Sequence, residues 1–191
     1  MFFLRPPTDE RIFELLRGLE GAELTYMDQG ITREDLEAAP PGFRLDRYGT
    51  ELGRGRALFE RACAALSRIE NYPRSFTRIV REPGELAPGS MFATLAFHFG
   101  FVSAHPCRGL YVQRERDRFA FGFGTLPGHA ESGEERFRVS IVDDVVRYDV
   151  QAFSRPHGFW SRLGAPVARF YQVRFQRETV ETMRALCAEP A

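Results

Sequence analysis

The sequence predicts an α+β fold, a curved antiparallel sheet gripping a long C-terminal helix, with further helices at the N-terminus. Three observations predict it. Residues 8–69 carry apolar positions at helical spacing, broken by glycine and proline. From about residue 76 the texture changes to phenylalanine, valine and glycine, with turn signals recurring between short runs. The chain then closes with a long amphipathic stretch, residues 166–188. Helices, then a run of strands, then a terminal helix is an α+β order, and a long amphipathic helix following a curved sheet can bury its stripe across the concave face.

The elements follow in order. Thr8-Asp9-Glu10 opens a helix with acids in its first turn, and Ile12, Phe13, Leu15, Leu16 and Leu19 form its apolar face until Gly18 and Gly21 end it. A second short helix is expected from Thr32, with Glu34 and Asp35 in its first turn and Pro40-Pro41-Gly42 as its stop. Phe43 to Tyr48 alternates as a strand, and Gly53 to Gly55 is a turn. Leu58, Phe59, Ala62, Cys63, Ala65, Leu66 and Ile69 then recur as a helix that ends before Pro73. Strands are predicted over 90–102, 108–114, 119–126, 134–142 and 145–153, with Asp143-Asp144 as a two-residue hairpin turn. In the terminal helix Pro166 belongs near the start, because an interior proline costs about 3 kcal/mol. Its inner stripe reads Val167, Phe170, Tyr171, Arg174, Phe175, Thr179, Met183 and Leu186. No repeat or long linker divides the chain, so residues 1–191 are expected to form one domain, with 1–42 a helical segment packed on it.

Composition excludes several function classes. Lysine is absent, and all 26 basic residues are arginine, which removes Schiff-base chemistry, the P-loop lysine and Ser-Lys nucleophile pairs. The 26 acids cancel the arginines, so no global field favours nucleic acid. Cys63, Cys107 and Cys187 are too few and too scattered for a disulfide framework or zinc motif. The N-terminus lacks the pattern of a signal peptide. The longest apolar run, residues 91–104, contains His98 and falls short of the roughly 18 residues of a membrane span. A cytoplasmic protein, monomeric or homodimeric, without nucleic-acid partner or membrane span, is expected.

GFGTLPGHAESGEERF (residues 122–137) followed by AFSRP (152–156) resembles a family of unknown function called DUF1990, also labelled UPF0548. LGRGRALFERACAAL (52–66), PCRGLYV (106–112) and PVARFYQVRF (166–175) extend the resemblance over residues 40–186, although Ala130 stands where proline is usual. The family carries no established activity, so the resemblance implies no catalytic assignment. Its element order looks like the START / Bet v 1-like superfamily of helix-grip cavity binders, which implies an apolar cavity between sheet and terminal helix.

The densest polar constellation is His129, Glu131, Glu134 and Glu135. Residues 125–133 connect two strands and so lie at a sheet rim. Alternation along the next strand puts Glu135 on the side of Phe137, Val139 and Ile141, facing the apolar interior, and Glu134 on the side of Arg136 and Arg138. A carboxyl facing that interior either pairs with an arginine that locks the hairpin or takes a raised pKa, and with His129 it could then do acid–base work. Arg155, leaving the last strand before Pro156, is a candidate fork for a ligand anion or for Glu135, or a pin for the preceding loop. His98, in FATLAFHFGFV, is a core histidine or a polar contact lining a cavity. His129, Glu131 and Glu135 lack a second histidine at ligand spacing, so no metal and no cofactor is assigned. Three functions remain open. One is a hydrophobic small-molecule binder whose polar contacts are His129, Glu131, Glu135, Arg155 and His98. The others are an enzyme using His129 and Glu135 as an acid–base pair on a hydrophobic substrate, and an interaction module whose core its own phenylalanines fill.

Overall fold

The computed structural model describes residues 1–157, the backbone of 165–168, and residues 169–188. Its helices are α1 (Asp9–Arg17), α2 (Arg56–Ser67) and α3 (Ala165–Cys187). Its strands are β1 (Phe2–Phe3), β2 (Arg44–Arg54), β3 (Thr77–Arg81), β4 (Met91–His98), β5 (Phe101–Glu115), β6 (Arg118–Thr125), β7 (Glu131–Val142) and β8 (Val145–Pro156). They form one antiparallel sheet in the order β2-β8-β7-β6-β5-β4-β3, with β1 added beside the start of β5.

Period-two alternation gives this sheet two different faces. On the concave face Phe119, Phe121 and Phe123 of β6 meet Phe137 and Val139 of β7, Val146, Tyr148 and Val150 of β8, and Leu58, Phe59, Ala62 and Leu66 of α2. Met183 and Cys187 of α3 join the same core. Burying each of these rings contributes about 1.5–3 kcal/mol, so the stack of Phe121, Phe123, Phe137 and Tyr148 anchors the layer. On the opposite face Ile12 and Leu16 of α1 pack against Val80, Ala93, Leu95, Val102 and Ala104.

Beside α1 the connecting segment 22–36 covers β6 to β8. Ala120, Gly122 and Gly124 leave that face bare, and Tyr111 and Tyr26 fill the space: a Cβ at Gly122 would strike the Tyr111 ring, and one at Gly124 the Tyr26 hydroxyl.

Several elements differ from the sequence expectation. The apolar run 90–102 is two strands, because Phe99-Gly100 turns the chain and Gly100 takes φ +86°. The expected strand 108–114 is the second half of the long β5, which begins at Phe101. β1 and β3 were not anticipated, and the strand expected at 43–48 continues to Arg54 through a bulge between Glu51 and Gly53. The helix expected from Thr32 is a single 3-10 turn, Ile31–Arg33. The hairpin at Asp143-Asp144 has positive φ at both residues, as its turn type demands. Pro166 is the second residue of α3. The inner stripe of α3 runs Tyr171, Phe175, Thr179, Met183 and Cys187, whereas Phe170 points outward and is 65% exposed. The Val167 side chain lies outside the described residues.

Candidate functional site

The concave face divides into a closed half and a looser half. Toward α2 and the C-terminal turns of α3, Phe119, Val139, Val146 and Met183 are fully buried. Beneath residues 169–175 of α3 the face is lined instead by half-buried groups: Tyr48 and Asp46 of β2, Thr94 and His98 of β4, His105 of β5, Glu131 and Glu135 of β7, and Ala152 of β8. The register brings them together. Glu135 pairs with Phe123 on one side and Ala152 on the other, Ala152 pairs with Asp46, and Thr94 pairs with His105. Residues 169–175 reach this half through Arg169 on Asp46 at 3.3 Å, the Gln172 amide donating to Glu131, Tyr171 against His98 at 4.4 Å between ring centres, and Phe175 against Tyr72.

Glu135 faces the apolar interior, as alternation predicts, and no arginine among the described residues reaches it. The Tyr48 hydroxyl donates to its Oε1 at 3.2 Å. Burial raises its pKa to about 8, against the Tyr48 hydrogen bond and with help from the charges of Glu131 and Asp46. Burial likewise raises Glu131 to about 7, although Arg44 opposes the shift. At neutral pH the looser half therefore holds two carboxyls that are wholly or partly protonated.

The histidines move the other way. His129 accepts the Glu131 backbone N–H at its Nδ1 (2.9 Å), and burial, then the charge of the N-terminal amine, lowers its pKa to about 3. His105 stands against His129 at 4.8 Å between ring centres and is held neutral by burial and by that neighbour. Ser103 Oγ bridges His105 Nε2 (2.8 Å) and His98 Nε2 (2.7 Å). Thus His98, His105, His129, Glu131 and Glu135 share one face of the sheet.

Arg155 does not join them. It is exposed, pairs with Ser132 in register, and stacks over Phe43 at 4.4 Å on the opposite face. Glu134 is the second departure. It lies opposite Glu135, yet it is only 2% exposed because segment 22–36 covers it. Its carboxylate accepts from the Tyr26 hydroxyl (2.8 Å), the backbone N–H groups of Gly30 (2.6 Å) and Thr32 (2.9 Å), and the Thr32 hydroxyl. Tyr48, Tyr72, Ser103 and His105 were not singled out from sequence. Alternation places Tyr48 with Asp46 on one side of β2, but only the pairing of β2 with β8 brings it to Glu135.

Two hollows open elsewhere among the described residues. One of about 320 Å³ lies between α1 and the β3–β4 connection, and one of about 450 Å³ lies beside Tyr72, Thr77 and Ile79 at the β3 edge. Neither is lined by the residues singled out from sequence. Among the described residues no three His, Cys, Asp or Glu side chains gather to hold a metal ion, and no helix is long and apolar enough to cross a membrane.

A family model described as a domain of unknown function, DUF1990, matches residues 25–182. The chain belongs to the DUF1990 family. Among its relatives a UPF0548 protein of Deinococcus radiodurans is 31% identical over 191 residues, covering 93% of this chain and 94% of that one. A UPF0548 protein of Dictyostelium discoideum is 28% identical over 203 residues, covering 96% and 94%. Solved structures resemble this DUF1990 chain in fold at much lower identity. The hypothetical protein jhp0584 from Helicobacter pylori gives a TM-score of 0.59 at 13% identity over 81% of this chain and 98% of that one. Ara h 8.0201 gives 0.50 at 10% identity over 76% and 98%. The fold of this DUF1990 protein is therefore the Bet v 1-like helix grip.

Proposed function

We propose that this DUF1990 protein binds a hydrophobic small molecule on the concave face of its sheet, beneath residues 169–175 of α3. One observation carries the reading. Tyr48, His105, Glu131 and Glu135 are enclosed by neighbouring elements, yet each keeps accessible surface, and they are the polar groups that converge on one part of an otherwise apolar face. Apolar walls with a few convergent polar groups are what small-molecule sites are made of. Phe92, Phe123 and Phe137 supply the walls, and Glu131, Glu135, His98 and His129 the polar contacts. The family is uncharacterised, so the ligand is argued from this face alone.

The acid–base alternative is less well supported. A histidine with a pKa near 3 is a weak base at neutral pH, and His129 already uses its Nδ1 lone pair on the backbone. The filled-core alternative fits the Phe119–Val139 half but not the Glu135 half.

N-phenyl-1-naphthylamine, a neutral fluorescent apolar probe, tests the reading. Saturable binding at one probe per chain is expected. Ala152→Trp, which places an indole beside Glu135, should abolish it while the melting temperature confirms folding. Saturable binding indifferent to Ala152→Trp, or no saturation in the wild type, contradicts the proposal.

A further inference from the structure

We infer that the ligand carries a cationic amine, which Glu135 receives among the aromatic side chains around it. This rests on the binding reading above and adds the ligand's charge. Glu135 is an acid set in an aromatic surface. Phe123 is its register partner, Phe137 follows it on the same face, and the Tyr48 hydroxyl bonds it. Tyr72 packs on Phe137 at 5.7 Å between ring centres and Tyr148 at 6.4 Å. Rings of this kind attract ammonium groups through their faces, most strongly where water is displaced.

The charges nearby leave this role open. The two arginines whose charges reach Glu131, Arg44 and Arg169, share the Asp46 carboxylate, at 2.6 Å and 3.3 Å. Glu135, able to accept several hydrogen bonds, receives one among the described residues, from Tyr48.

Other buried polar atoms lack partners among the described residues. Asn71 is fully buried, and its amide N–H donates to the Tyr148 hydroxyl at 3.1 Å, but its Oδ1 has no partner among the described residues. The Nδ1 atoms of His98 and His105 are likewise without partners, each a donor or an acceptor according to its tautomer. The cations on this face stand at its ends, Arg44 and Arg169 on Asp46 and the N-terminal amine on the Ala104 and Gly128 carbonyls, and none of them bonds Glu135 among the described residues; an ammonium group supplies that donor and that charge.

Binding then moves a proton. The titratable and charged groups facing Glu135 are Tyr48 and Asp46 of β2, Tyr72, Cys107 of β5, Glu131 on its own strand, and Tyr148 of β8. Burial holds the tyrosines and the thiol protonated, so Glu135 and Glu131 are the groups that can release a proton near neutrality. An incoming ammonium stabilises the Glu135 carboxylate, and the displaced proton passes to solvent.

Three probes of one shape test this by calorimetry: 2-(2-naphthyl)ethylamine, the corresponding naphthyl alcohol, and 2-naphthylacetate. The amine should bind at least about tenfold more tightly than the alcohol, the carboxylate most weakly. Titrations at pH 7 in buffers of different ionisation enthalpy should show proton release with the amine and none with the alcohol. Glu135→Gln should bring the amine's affinity down to the alcohol's and erase the proton release. Alcohol and amine binding equally, without proton release, overturns the inference and leaves the hydrophobic site standing. Amine preference that survives Glu135→Gln assigns the charge to another group and also overturns it. Failure of all three probes overturns the binding reading and this inference together.

Discussion

Glu134 and Glu135 are neighbours in sequence, and the pleat sends their carboxyls to opposite faces of one sheet. Glu134 is wrapped by backbone and hydroxyl donors and holds segment 22–36 down. Removing it strands several buried donors at once, so Glu134→Ala should cost about 3 kcal/mol or more in denaturant unfolding. Glu135 has one donor and carries the pH dependence. Its folded pKa of about 8 exceeds the usual carboxyl value of 4.5, so the folded state binds the extra proton. Its contribution is whole below pH 4.5 and is lost as pH rises through 8. His129, depressed to about 3 from 6.5, acts oppositely and destabilises the fold as pH falls below 6.5. Between pH 6.5 and 8.5 the N-terminal amine, lowered from 8.0 by burial, works against the carboxyls, so the melting temperature of the wild type relative to Glu135→Gln should fall as pH rises. Alternation in EERFRVSIV showed which of the two acids faces inward. It did not show that Glu134 is buried as well, because the covering segment lies about a hundred residues earlier in the chain. Nor could it separate Arg155, one position out of phase, from the polar groups on the concave face.

At the scale of elements, the i, i+4 row of α3 is what seats it. Tyr171, Phe175, Thr179, Met183 and Cys187 lie on one line, with the Thr179 hydroxyl donating to the Asn71 carbonyl at 2.6 Å and bonding the Tyr148 hydroxyl at 3.1 Å. Met183 is fully buried, so Met183→Ala should cost about 2–5 kcal/mol. Helical periodicity located this row but also admitted Phe170, since residues three and four apart both share a face. The run 90–102 hid its turn for a related reason: Phe99 is as apolar as a strand residue and yet fully exposed at the hairpin tip. Gly124 shows the reverse, a composition signal whose meaning only packing decides. Gly124→Val should displace Tyr26, and faster amide hydrogen exchange over residues 25–35 would report it.

At the scale of the whole molecule, segment 22–36 and α1 close one face of the sheet, and α2 and α3 close part of the other. The order of elements made that architecture legible, because a sheet followed by one long amphipathic helix has few ways to bury both. The looser half of the concave face was not legible, since it depends on which strands neighbour β7 and on how far α3 stands off. The central claim is that an apolar ligand occupies that half. Intermolecular NOEs between bound 2-(2-naphthyl)ethylamine and the protein test it most directly. Contacts to the methyls of Ala152 and Val150 and the rings of Tyr48, Phe123 and Phe137 are predicted. Contacts confined to exposed Phe2, Leu4 and Phe99 at the outer surface would contradict it.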